Sequence, residues 1–415
     1  MAALQTNGSV LTRLLWARGL RAFADGYVSL LLPVYLIGLG MSAFEVGIIT
    51  TGTLLGSGAL SLLVGLHAGR LRFRSWLLLA CALMAATGIA FALASDFWPL
   101  LVIAVVGTLN PSSGDVSVFL PLEHALLADT VEDNRRTGFF ARYNVVGSIV
   151  AALGALMAGL PQVLSALLHV DGLTALRCMF LLYAVLGMAC ALVYRGLPAL
   201  RKTEEGRGKA PLRKSKRTAY TLAALFSLDA FGGGFVVQSM FALWLFDRFQ
   251  LSPMATGTIF FWTGLVSAVS YLAAAWISGR FGLVNTMVFT HLPSSLLLIL
   301  IPFAPTLPWA LLLLIARSAL SQMDVPTRSS YVMAITPPEE RAAAASVTSV
   351  PRSLAAAASP ALAGYMLTLS TFGWPLIAAG ACKIVYDLLL YFRFRHIRPP
   401  EEQARSPRNH LIPGR

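Results

Sequence analysis

The sequence has 415 residues, 57% hydrophobic and only 12% charged, with a net charge of +13. Soluble domains carry about 25% charged residues, so an ordinary soluble globular protein is excluded. Mean hydropathy of +0.71 points instead to a chain that lives in lipid.

Apolar stretches of about 20 residues, long enough to cross a bilayer as helices, recur along the chain. In order they are 18–38, 45–67, 75–95, 98–128, 138–160, 173–195, 218–246, 254–278, 283–304, 308–334, 343–367 and 373–393. The fourth and tenth exceed one crossing and must tilt, kink or protrude. Most Lys and Arg fall on one side of these twelve spans: Arg13 to Arg21, Arg70 to Arg74, Arg135 to Arg142, a cluster from Arg195 to Arg217, Arg280, Arg341 and the tail from Arg393. The proposed external loops hold Arg248. By the positive-inside rule both termini are expected in the cytoplasm. A basic face against anionic headgroups accounts for the net charge, so nucleic acid is not expected as a partner. The first twenty residues show no basic, apolar and small-residue cleavage pattern. Cys81, Cys178, Cys190 and Cys382 sit in apolar spans and read as small buried hydrophobes, with no disulfide or zinc spacing.

One long polar stretch, "LPALRKTEEGRGKAPLRKSKR", splits the spans six and six. The expected organisation is therefore a bundle over 1–195, a basic cytoplasmic linker over 196–217, a second bundle over 218–395 and a basic tail over 396–415. The halves repeat. "RAFADGYV" (Arg21–Val28) matches "DAFGGGFV" (Asp229–Val236), and "MSAFEVG" (Met41–Gly47) matches "LSPMATG" (Leu251–Gly257). "HAGRL" (His67–Leu71) matches "ISGRF" (Ile277–Phe281), and "FLPLEHALLA" (Phe119–Ala128) matches "DVPTRSSYVM" (Asp324–Met333). Several ordered matches at a nearly constant offset imply two related bundles with a site between them near the midplane.

Six plus six spans, a basic central loop and basic turns after the second and eighth spans resemble the major facilitator superfamily. The likeness covers nearly the whole chain. The family's cytoplasmic turn, Gly-x-Leu-Ala-Asp-Arg-x-Gly-Arg-Lys, is answered by "GLHAGRLRFR": Gly65, Ala68 and Arg70 fit, and Arg74 keeps the final basic position. Gly69 stands in place of the acid, as does Gly279 beside Arg280 in the second half, which puts the family's charge lock in question. The Gly-Pro pair of the family's antiporter motif is met by "GALMAG" (Gly154–Gly159) without proline, and "SPALAG" (Ser359–Gly364) supplies one in the eleventh span. The resemblance implies an all-α integral membrane protein of twelve transmembrane helices, whose first, fourth, seventh and tenth helices surround a polar cavity.

An ionisable residue at the bilayer centre costs roughly 2.5–3.5 kcal/mol, so each demands protein or water around it. They gather on those four spans. Asp25 lies one helical turn after Arg21. It reads as a protonatable site or as half of a helix-end ion pair. Asp115 follows "NPSSG" at Asn110–Gly114, where Pro111 and Gly114 should loosen the helix. Glu123 and Arg328 stand at equivalent repeat positions and suggest a gate pair between the halves, with Arg142 and Arg352 as further neutralising cations. Asp324 and Arg328 are also i,i+4. Lys383 and Asp387 form another such pair, read as packing. Tyr27, Tyr35, Phe231, Phe235, Trp244 and Gln238 offer walls and a hydrogen bond for an amphipathic substrate.

No hydrolase, zinc-protease or P-loop motif is present, and no cofactor or metal site is expected. Expected partners are a small-molecule substrate, a proton or other ion gradient and the lipid bilayer, with the chain acting as a monomer. The leading expectation is a bacterial inner-membrane exporter in which protons compete with an amphipathic or cationic compound through Asp25 and Asp115. The alternatives are a carrier of small anions held by Arg142, Arg317, Arg328 and Arg352, a metalloid or soft-metal exporter using the thiols, and a sensor or assembly partner that keeps the fold without turnover.

Overall fold

The structure, a computed structural model, describes residues 2–67, 73–112, 117–130, 133–197 and 212–397. Among them there are helices and no strands. The first three spans are α1 (Ala2–Gly38), α2 (Ala43–His67) and α3 (Phe73–Leu93). The fourth is broken into α4 (Phe97–Val106) and α5 (Phe119–Thr130). The fifth runs through α6 (Asp133–Leu156), a 3-10 turn and α7 (Leu160–Leu168), and the sixth is α8 (Gly172–Arg195). The second half repeats the plan. Its first span is α9 (Lys216–Gly234) with α10 (Gln238–Phe249), followed by α11 (Pro253–Phe281) and α12 (Leu283–Leu300). Its fourth is again broken, into α13 (Leu307–Leu320) and α14 (Asp324–Ile335), and α15 (Arg341–Leu369) and α16 (Trp374–Phe394) complete it.

Nine helices among the described residues are long and apolar enough to cross a membrane. The fourth and tenth crossings are absent from that number because each is broken; α15 is long enough but diluted by Ala, Ser and Thr. The breaks have a cause in the sequence. Pro121 and Pro326 are each the third residue of α5 and α14. A proline lacks the N–H that a helix interior needs but is tolerated in the first turn, whose N–H groups have no partner within the helix. Both crossings therefore restart at the same register. Freed backbone groups must find partners at membrane depth, and at the first break they do. Thr87 Oγ1 accepts from the Thr108 N–H at 3.3 Å, Tyr183 donates to the Thr108 carbonyl at 3.0 Å, and Ser239 N–H reaches the Pro111 carbonyl at 3.1 Å from the other bundle.

Twelve crossings thus form two pseudo-symmetric six-helix bundles. They meet through α2 against α15 and α6 against α11. The contacts obey the repeat. A Cβ on Gly47 would collide with the Pro360 carbonyl, and one on Gly257 with the Ala155 carbonyl. Gly47 and Gly257 are repeat partners, as are Ala155 and Pro360. Small residues let these backbones touch. Phe44 and Tyr365 add an edge-to-face pair at 6.0 Å, and the Ala361 N–H donates to Thr51 Oγ1 at 3.1 Å. All of this lies at the end of the molecule remote from the two chain ends. Three turns back toward those ends, on the same helix faces, stand Asn144 on α6 and Ser349 on α15. Both are polar and exposed. The tightest glycine contacts between the bundles lie at one end.

Candidate functional site

Among the described residues, a buried ion pair joins the first and fourth spans of each bundle. In the first, α1 carries Arg21 and α5 carries Glu123, bonded to each other with side chains 3% and 0% exposed. The Glu123 carboxylate also accepts from the hydroxyls of Tyr143 on α6 and Tyr194 on α8, the latter at 2.6 Å. Arg21 lies 4.2 Å over the Phe119 ring and 3.4 Å from Ser117 Oγ. Arg18 sits 5.2 Å over the Tyr143 ring. Asp25, one turn further along α1, accepts from Asn110 Nδ2 at 3.4 Å, and Asn110 Oδ1 accepts from Ser112 N–H and Oγ at the break.

In the second bundle, α9 carries Asp229 and α14 carries Arg328, 3.1 Å apart. By the repeat, Arg21 corresponds to Asp229 and Glu123 to Arg328. The same pair recurs with its charges exchanged. Here it is extended: Arg328 also pairs with Asp324, and Lys383 Nζ on α16 lies 2.7 Å from Asp229. His291 on α12 places Nδ1 3.0 Å from both Asp387 oxygens. Its Nε2 lies 3.5 Å from Lys383 Nζ and 3.7 Å from Asp229. Among the described residues, Arg328 Nε and Nη1 and the Tyr386 hydroxyl have no hydrogen-bond partner.

Several expectations change. Glu123 and Arg328 do not pair across the halves, because each faces the first span of its own bundle, where an opposite charge already stands. Arg21 serves Glu123 rather than Asp25. Lys383 and Asp387 do not pair along α16; they turn to Asp229 and His291. Arg142 is exposed and Arg352 half-buried, and the cation beside Glu123 is Arg21. Tyr27 and Tyr35 are fully buried inside the first bundle, donating to Met179 O at 3.2 Å and Phe91 O at 2.7 Å, so they wall no cavity between bundles. Trp244 is likewise buried, its indole N–H on Thr371 O. Phe231 and Phe235 meet edge to face at 5.2 Å near half-buried Gln238. Asp25, Glu123, Asp229 and Asp324 are at most 6% exposed, so they face the interiors of the bundles rather than lipid or an open chamber. Cys178 is exposed and Cys382 half-buried, against the expected burial of all four thiols. Gly65 lies near the end of α2, Arg74 near the start of α3, and Gly279 and Arg280 are exposed at the end of α11. Asp115, Gly69 and Arg70 lie outside the described residues.

His291, Tyr143 and Tyr194 were not singled out from the sequence. His291 had a signal, being the one ionisable side chain of its span, and such a residue inside a membrane marks a functional site by default.

The family model described as Major Facilitator Superfamily matches residues 14–240 and 222–413. The chain belongs to that superfamily. It is 29% identical over 422 residues to the uncharacterized membrane protein YJR124C of Saccharomyces cerevisiae, covering 92% of this chain and 93% of that one. Among solved structures it is similar to a bacterial homologue of the human lysosomal transporter Spinster in its inward-facing, unoccupied conformation. There the TM-score is 0.67 at 17% identity, with 93% and 95% of the two chains covered. It is also similar to the human organic anion transporter MFSD10, with TM-score 0.66, 19% identity and 92% and 99% coverage. The protein is a multi-pass membrane transporter of this fold.

Proposed function

We propose that this facilitator is a proton-coupled secondary transporter that exports a small amphipathic or cationic compound. The supporting observation is the asymmetry between the two ends of the bundle interface. Glycine-tight contacts seal the end remote from the termini, while Asn144 and Ser349 stand exposed three turns back on the same faces. That is one state of an alternating-access cycle, in which two bundles rock about a fixed site. The distribution of Lys and Arg supports termini, and hence the open end, on the cytoplasmic side of a bacterial inner membrane; reporter fusions at each terminus test this. Asp25, held at the break through Asn110, and Asp115 are the proposed proton-coupling positions. By linkage, if protonation weakens substrate binding, substrate lowers the site's proton affinity equally. In proteoliposomes, efflux of tetraphenylphosphonium should follow an imposed proton gradient. Unchanged coupling in the Asp25→Asn, Asp115→Asn double variant removes this assignment.

A second reading, transport of small anions, is favoured by Arg317. It lies on the inner face of α13, with buried Ala310, Leu314 and Ser318 and opposite exposed Leu312 and Ile315. Its Nε has no partner. An anionic substrate would supply the missing counter-charge. Benzoate competing with the probe in the native chain but not in Arg317→Ala selects this reading, and indifference to benzoate in both excludes it.

A further inference from the structure

We infer that the charged cluster of the second bundle is a binding site for one proton, taken up at His291 Nε2 between Asp229 and Lys383. This deepens the proton-coupled reading and rests on it for its role in transport, though not for its existence.

Charge counting carries the argument. The cluster has three carboxylates, Asp229, Asp324 and Asp387, and two permanent cations, Arg328 and Lys383. With a neutral imidazole it is one negative charge in excess; with an imidazolium it balances. An unbalanced charge in a dry interior is strongly disfavoured, whereas a balanced and hydrogen-bonded set is tolerated. The first bundle differs. Arg18 and Arg21 already balance Asp25 and Glu123, so its described charges leave no such demand.

Geometry gives the proton two resting arrangements. In both, Nδ1–H donates to Asp387, whose oxygens lie 3.0 Å away. Nε2 faces a donor and an acceptor at nearly equal range: the Lys383 ammonium at 3.5 Å and the Asp229 carboxylate at 3.7 Å. A neutral ring accepts from Lys383. A protonated ring donates to Asp229 and repels Lys383, which must shift. The α16 helix adds Tyr386, edge-on to the imidazole at 5.9 Å, and α14 adds Asp324 and Arg328. From α13 the Arg317 carbonyl accepts from Ser294 Oγ on α12 at 3.5 Å, and on α11 Tyr271 is engaged with Gln322. Lys383 and Arg328 are the most exposed members, with side chains 12% and 10% accessible, and form the mouth of the cluster.

The test is proton counting on the purified full-length chain in nanodiscs, without substrate. Between about pH 5 and about pH 8, His291→Gln should release one proton per chain fewer than the native protein. Asp387→Asn leaves two acids against two permanent cations and should lose the same proton. Adding Lys383→Met restores the imbalance, so the Asp387→Asn, Lys383→Met pair should regain it. A purely structural histidine would not follow that arithmetic. Superimposable titrations of His291→Gln and native protein overturn the proposal. If His291→Gln does not fold, failure of the double variant to regain the proton overturns it instead. Gradient-driven efflux of tetraphenylphosphonium is measured separately. Its absence would refute the transporter reading and leave the proton count standing.

Discussion

In the first bundle the carboxylate of the buried ion pair is well supplied with donors. Glu123 accepts from Arg21, Tyr143 and Tyr194, and the donors come from three different spans. In the second bundle the pair has its polarity exchanged and is left open. Arg328 shares itself between Asp229 and Asp324, two of its nitrogens lack partners, and a histidine and a lysine stand within reach. Duplication has kept the place of the pair and not its sign. The attraction between the first and fourth spans is the same with either sign, so packing alone would accept both. What differs is what surrounds the pair. Phenol hydroxyls donate to the carboxylate of the first pair, whereas a further acid shares the guanidinium of the second.

That contrast can be broken most forcefully at Glu123. Glu123→Ala leaves Arg21 buried without a counter-ion and two phenols without acceptors, a change expected to cost about 3–5 kcal/mol. Asp229→Ala should cost less, about 1–3 kcal/mol, because Arg328 keeps Asp324 and Lys383 has an exposed route out. Thermal unfolding in detergent compares the two; equal losses would mean that the bundles are built alike after all. Next come the repeat partners at the sealed end. Gly47→Leu and Gly257→Leu drive a side chain into a facing backbone carbonyl, and overpacking of this kind costs about 1–3 kcal/mol. Here the cost should fall on the sealed conformation. The yield of a disulfide between Phe44→Cys and Tyr365→Cys, in a background without exposed Cys178, should drop in both variants by similar amounts. A drop in only one would show that the two contacts do not act as one hinge.

Much of this was legible beforehand. Apolar length and one-sided basic residues reported the crossings, and Pro111 and Gly114 reported that the fourth one loosens. The repeat even aligned Arg21 with Asp229 and Glu123 with Arg328. It could not say whether opposite charges at matching places meet across the interface or each within its own half, because both satisfy the same register. Tyr27 and Tyr35 failed for a related reason: membrane helices are apolar all round, so periodicity does not tell which face meets protein. His291 was visible as a lone ionisable group but stood in a span with no other charge to suggest its partners, which come from α9 and α16.

A smaller effect concerns how the second bundle is fastened to the linker. Glu340, 5% exposed, accepts from the N–H groups of Arg213, Lys214 and Ser215 at 3.0, 2.9 and 3.0 Å and from Ser215 Oγ. Those bonds, the Ser215 hydroxyl foremost, hold its carboxyl down to about 2 from the ordinary 4.5. A depressed carboxyl stabilises above its unfolded value and loses that contribution as pH falls through the folded one. The clasp should therefore be intact at pH 7, weaken below about 4.5 and be gone near 2. Hydrogen exchange of residues 213–215, corrected for intrinsic rate, should follow this course, and Glu340→Gln should raise exchange already at neutral pH. Flat protection across the range would show that packing rather than the carboxylate holds the segment.

The smallest difference separates the two helix starts at the sealed end. Ser42 and Ser252 are repeat partners. Ser42 accepts from the Glu45 N–H at 3.3 Å while Glu45 returns to the Ser42 N–H at 2.7 Å, a reciprocal capping box. Ser252 accepts from the Ala255 N–H at 3.2 Å with Pro253 opening the helix and no returning acid. Ser252→Ala removes the whole side-chain cap from α11 and should cost about 1 kcal/mol. Ser42→Ala leaves Glu45 still bound to the backbone N–H of residue 42 and should cost only a few tenths. Because both caps sit beside the glycine contacts, the larger loss at α11 should also loosen the Gly257 side of the seam first. Exchange of the α11 first turn rising in Ser252→Ala, with the α2 first turn unchanged in Ser42→Ala, is the expected pattern. The reverse ranking would mean that the acid at residue 45, absent from the other half, contributes through something other than its cap.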